Sequence, residues 1–134
     1  MSLTDKCKWY RYYDLEQEIW YIKFGKRANK NEFESFLIQY ESRYITFNKK
    51  SIIFNGLDIE YLSVSQCIQL ANMMRRMRPI HSLQLICFCI VVNNNIIINL
   101  LNFIFTIVIP VRPYIICDNI EIAKKFIHKQ NEGL

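Results

Sequence analysis

Between Pro79 and Val111 the chain carries no formally charged residue, and most of that stretch is apolar. Such a run has to be buried, either in a bilayer or in a protein core, because an exposed patch of that size invites association. Asn93, Asn94 and Asn95 interrupt it. They leave runs of about ten and about fifteen residues, each short of the ~20 that a helix needs to cross a bilayer. A buried strand, a turn and a helix fit better. Leu83 to Val92 is almost continuously apolar with β-branched residues, as a central strand covered on both faces requires. Beyond the turn, Asn95, Asn99, Asn102 and Thr106 recur at i, i+4, i+7 and i+11. That spacing draws a narrow polar stripe on a helix made otherwise of Ile, Leu, Phe and Val.

Shorter patterns frame this centre. Residues 8–13 and 19–24 are rich in aromatic and β-branched types and are separated by Asp14-Leu15-Glu16-Gln17-Glu18, the pattern of a hairpin. Trp20, Ile22 and Phe24 share one face of its second strand. Gly25 ends that strand and Asn31 is placed to cap a helix. Phe33, Phe36, Leu37, Tyr40 and Tyr44 then recur at helical spacing. Glu32 and Glu34 in the first turn and Arg43 in the last suit the helix dipole. Residues 51–54 read as a short strand. Ser63-x-x-Gln66 has the form of a capping box. The helix it opens has Cys67, Leu70, Ala71, Met74 and Met77 on its apolar face, leaves Ile68 and Met73 off centre and exposed, and stops at Pro79. Residues 112–117 supply a last strand. Asp118-x-x-Glu121 is placed to cap a final helix that faces inward through Ile122, Ala123, Phe126 and Ile127. The order ββαβαβαβα predicts one α/β domain over 1–134, with 1–7 and 130–134 as loose ends. Its sheet is mixed, with the later strands parallel and joined by right-handed crossovers.

Over about residues 8–129 this order resembles the STAS fold of anti-sigma factor antagonists. The local similarity lies in the strand Ile52-Ile53-Phe54, followed by a loop and a helix opening with Leu62-Ser63-Val64-Ser65-Gln66. STAS domains carry an Asp-Ser-Ser-Gly-like motif there, and in their phosphorylatable members the Ser after the Asp accepts phosphate. The resemblance implies a regulatory or scaffold module with a STAS-like mixed sheet. Aligned without gaps, Ser63 stands at the Asp, Val64 at the phosphoacceptor, Ser65 at the second Ser and Gln66 at the Gly, so the switch is not kept position for position. Asp58, Ser63, Ser65 and Gln66 make up the candidate switch or ligand loop. A phosphate on Ser63 or Ser65 would sit by helix amides that favour anions. The other reading makes Ser63 a cap alone.

A catalytic constellation is not legible. The glycines at 25, 56 and 133 are far apart and form no phosphate-binding loop. His81 and His128 are the only histidines, and both are expected at the surface. The cysteines at 7, 67, 87, 89 and 117 include no CxxC pair, so neither a metal nor another cofactor is expected. Cys87 and Cys89 point to the same face of a strand, which suits packing. Reduced, buried cysteines and an N-terminal stretch without an apolar core point to the cytoplasm. The bias toward Ile, Asn, Lys, Tyr and Phe is that of an AT-rich coding sequence. The net charge of +5 is spread over small groups, Lys6/Lys8/Arg11, Lys23/Lys26/Arg27/Lys30 and Arg75/Arg76/Arg78, and lacks the dense basic stripe of a nucleic-acid binder. The expected function is a non-enzymatic protein–protein interaction or scaffold module, regulatory or structural. The helix of residues 96–109 is too apolar for an ordinary surface helix. Ile97, Ile98, Leu101 and Phe105 are therefore candidates for contact with another chain, in a homo-oligomer or a hetero-complex. The alternative is membrane association, with residues 96–111 as an in-plane or inserted segment and basic groups nearby.

Overall fold

The computed structural model describes residues 9–16, 19–45 and 48–132. A hairpin of β1 (Tyr10–Glu16) and β2 (Ile19–Phe24) is followed by α1 (Lys30–Ser42) and β3 (Lys50–Asn55). Helix α2 (Val64–Arg76) and a short α3 (Arg78–Gln84) lead to β4 (Leu85–Val91). Helix α4 (Asn95–Ile107) leads to β5 (Tyr114–Cys117), and α5 (Ile120–Glu132) follows. The strands lie side by side in sequence order, β1 antiparallel to β2 and every later neighbour parallel. The fold is α/β on a mixed sheet.

Adding each parallel strand on the same side, by connections of one hand, sets the crossover helices on one face. Accordingly α1, α2 and α4 share a single core with Tyr10, Ile22, Phe24, Ile52 and Phe88. Helix α5, which comes after the last strand, covers Ile53, Cys87, Cys89 and Val91 on the opposite face through Ala123 and Ile127. Strand β4 is buried along its whole length, as its unbroken apolar run requires. The two faces are packed differently. Cys89 Sγ lies 3.5 Å from the Ala123 carbonyl, and α5 rides close to the sheet on such small groups. The other layer stands on rings: Phe36 meets Phe24 at 5.1 Å and Tyr10 at 5.4 Å between centroids. Rings are bulkier than the Cys and Ala groups under α5 and hold their helices farther from the sheet.

Several boundaries differ from the sequence-based expectations, and each difference has a local cause. The cap of α1 is Asn29 and not Asn31. The Asn29 Oδ1 accepts from Glu32 N at 2.8 Å, and the Glu32 carboxylate accepts from Asn29 N at 3.0 Å. Pro79 does not end a helix but sits in the first turn of α3, where its missing N–H is not needed. That extra helix delays the central strand to Leu85. Asn119, not Asp118, caps α5, its Oδ1 accepting from Ile122 N at 2.9 Å. Ile122 is turned outward, residues 130–132 continue α5 as helix, and residues 133–134 lie outside the described residues. Residues 1–7 lie outside the described residues. Met73 is buried in the core, whereas Ile68 is exposed as expected.

Candidate functional site

The loop after β3 is fixed by its own backbone. Asn55 Oδ1 accepts from Leu57 N at 3.1 Å, Gly56 N donates to Val91 O at 2.8 Å and Glu60 N donates to Lys26 O at 2.9 Å. Ser63 and Gln66 form the capping box: Gln66 N donates to Ser63 Oγ and Ser63 N donates to Gln66 Oε1, both at 3.0 Å. Gln66 Nε2 also donates to Ala28 O at 3.2 Å, tying α2 to the segment before α1. Ser65 is exposed and accepts from Gln69 Nε2 at 3.3 Å. Asp58 is exposed in the turn and has no hydrogen-bond partner among the described residues. The loop thus brings Ser63 and Gln66 together, occupies both with capping, and leaves Asp58 and Ser65 to solvent.

Helix α4 presents three stripes. Ile97, Leu101, Ile104 and Phe105 face the sheet and are buried in the chain's own core, with Ile98 partly buried beside them. The residues singled out as an interface are therefore the helix's inner face, where the Phe105 ring meets Phe88 and Tyr114. Asn95, Asn99, Asn102 and Thr106 are exposed, as the polar stripe requires. Next to them runs a stripe not foreseen from the sequence, Ile96, Leu100, Phe103 and Ile107. Ile96 is 70% exposed, Phe103 61% and Ile107 51%, with Leu100 half-buried. The i, i+4, i+7, i+11 spacing was present for the apolar residues as well as for the asparagines, but an all-apolar helix does not disclose which of its sides meets the sheet.

Between the sheet and the helices lies a polar centre that the sequence did not reveal. His81 is buried and not at the surface, because α3 turns its ring beneath α1. Its Nε2 is 2.9 Å from Tyr40 Oη, which is 2.7 Å from Tyr44 Oη. Burial pushes the imidazole down to about 4, so it is neutral at pH 7. Burial likewise raises both phenols, with the adjoining ring adding to the rise at Tyr40. Lys50 opens β3 with no exposed surface. Its Nζ donates to Gln84 Oε1 at 3.3 Å and lies 4.3 Å from the centre of the Trp20 ring and 4.4 Å from that of Tyr44. Arg43 stacks on Tyr12 at 4.1 Å, so two cations share one aromatic wall without a carboxylate partner among the described residues. Burial, and then Arg43, lower the Lys50 ammonium. The Tyr12 hydroxyl is buried with no hydrogen-bond partner among the described residues.

Alongside this centre, a cavity of about 140 Å³ follows β4 between the sheet and the ring-bearing helices. Its walls are almost wholly apolar: Phe54, Phe88 and Ile90 from the sheet, and Leu70, Met73 and Ile104 from the helices. Among the described residues no group of three or more His, Cys, Asp or Glu is gathered as metal ligands are. His128 is exposed on α5. Among the same residues no helix is long and apolar enough to cross a membrane. Compared with family models, with curated proteins and with solved structures, the chain matches none.

Proposed function

We propose that this chain is a non-enzymatic interaction module with a STAS-like fold, and that it assembles with a second copy of itself through the outer stripe of α4. The observation that carries the reading is the exposed row Ile96, Leu100, Phe103 and Ile107 on a helix without a single charge. Apolar rows at this spacing are the surface by which helices pack on helices. A two-fold contact also brings identical surfaces together, and a charge-free face meets its own copy without repulsion. The neighbouring asparagines supply the polar rim that such contacts have. The STAS-like reading is supported by the element order, a hairpin and then alternating helices and strands, with α3 added before β4.

Several of the potentially reactive groups among the described residues are engaged elsewhere, which favours binding over catalysis. Ser63 caps α2, His81 is bonded to Tyr40, and burial raises the thiols of Cys67, Cys87 and Cys89 away from the thiolate form a nucleophile needs. Sedimentation velocity over a wide concentration range tests the reading. The wild-type chain is expected to sediment as a dimer and the Phe103→Glu variant as a monomer that melts at a similar temperature. A wild-type monomer at every concentration contradicts it. Recovery of that monomer with anionic vesicles, lost in Phe103→Glu, would assign the stripe to a lipid surface instead.

A further inference from the structure

We propose that the cavity along β4 binds a small amphipathic anion, with its apolar tail enclosed among the rings and its carboxylate held by Arg78 and Arg112. The cavity has a closed end and an open one. At the carboxyl end of β4 its lining residues Gly56, Ile59, Leu62, Val92 and Ile97 are all buried. At the amino end Arg78 and Ile109 are exposed and Pro110, Val111 and Arg112 are half-buried, so the mouth lies there.

Both arginines at that mouth are anchored by backbone. Arg78 Nη1 donates to Ile109 O at 2.6 Å, and Arg112 Nε donates to Ile86 O at 3.2 Å. A guanidinium has five N–H donors, so each arginine keeps most of its donors for a guest. Neither has a carboxylate partner among the described residues. Of the lining's other polar side chains, Tyr40 and His81 bond each other and Trp9 Nε1 donates to Gly25 O at 2.9 Å. The interior therefore favours hydrocarbon and the rim favours an anion.

Size narrows the guest. A dry apolar cavity of about 150 Å³ takes up a benzene-sized molecule, and the volume here is about 140 Å³. A carboxylate carrying a five- or six-carbon tail matches both the volume and the rim. An empty cavity of this size forfeits the dispersion contacts of its lining, and such a tail restores them.

Methyl NMR of the full chain, titrated separately with sodium hexanoate and with hexanol, tests the assignment. The methyls of Leu101, Ile104 and Ile90 are expected to shift saturably with both, and hexanoate is expected to bind about tenfold more tightly, since hydrogen bonds to a charged group are the stronger kind. In the Arg78→Gln/Arg112→Gln variant hexanoate should fall to the affinity of hexanol, while unchanged hexanol binding shows that the cavity is intact. Shifts with neither compound overturn the proposal. So does hexanoate binding that is no tighter than hexanol or that ignores the arginines. The same titration in the Phe103→Glu background keeps the outcome separate from self-association.

Discussion

Acidifying the protein from pH 7 to pH 5 should remove stability through one residue, His81. Burial holds its folded-state pKa down to about 4, against an ordinary value of 6.5. At pH 7 the ring is neutral in both the folded and the unfolded chain, so its titration contributes nothing there. Below pH 6.5 the unfolded chain takes up a proton that the folded chain refuses, and stability falls as pH falls. The loss is about 2 kcal/mol by pH 5 and about 3 kcal/mol by pH 4, below which the folded ring also protonates and the slope ends. Urea unfolding at pH 7, 6 and 5, for the wild type and for His81→Gln, isolates the effect from everything else that both chains share. The variant should start less stable by about 1 kcal/mol, the worth of a typical hydrogen bond, and should lose about 2 kcal/mol less between pH 7 and pH 5. Parallel pH profiles for the two chains would refute the burial of His81 and the polar centre built on it.

Two further substitutions probe the loop after β3. Ser63→Ala should cost about 1 kcal/mol in urea unfolding by removing the cap of α2, whereas Ser63→Asp should stay near wild type because aspartate caps as well as serine. An equal loss in both would contradict the cap as the role of Ser63. Gly56→Ala places a Cβ 3.0 Å from both Ile59 Cδ1 and Val92 Cγ1. It should destabilise by roughly 1 kcal/mol, at the low end for overpacking because both neighbours are side-chain ends. A higher urea midpoint in Gly56→Ala would show that the closed end of the cavity is looser than described.

Patterns with a period were legible in the sequence, and contacts between distant segments were not. The unbroken run through Cys87, Phe88 and Cys89 announced a strand buried on both faces, and its thiols do lie together on the α5 side. Ser63 and Gln66 announced a helix start because a capping box is local. His81 misled because its neighbours in sequence are polar or exposed, while its partners Tyr40 and Tyr44 come from another helix. Lys50 gave no signal for the same reason: its shelter is Trp20, Tyr44 and Gln84. Helix α4 misled in register alone. Composition showed that it had more apolar surface than one sheet could cover, but Ile97 and Ile96 differ only by the rotation that tertiary packing selects.

The central claim is that Ile96, Leu100, Phe103 and Ile107 meet the same stripe of a second copy. Isotope-filtered NMR on an equimolar mixture of labelled and unlabelled chains reads that contact directly. The claim predicts intermolecular NOEs from the Phe103 ring to Ile and Leu methyls of the other copy's α4. Intermolecular NOEs confined to other exposed residues such as Val64 and Ile68, or none at a concentration where every chain is dimeric, would contradict it.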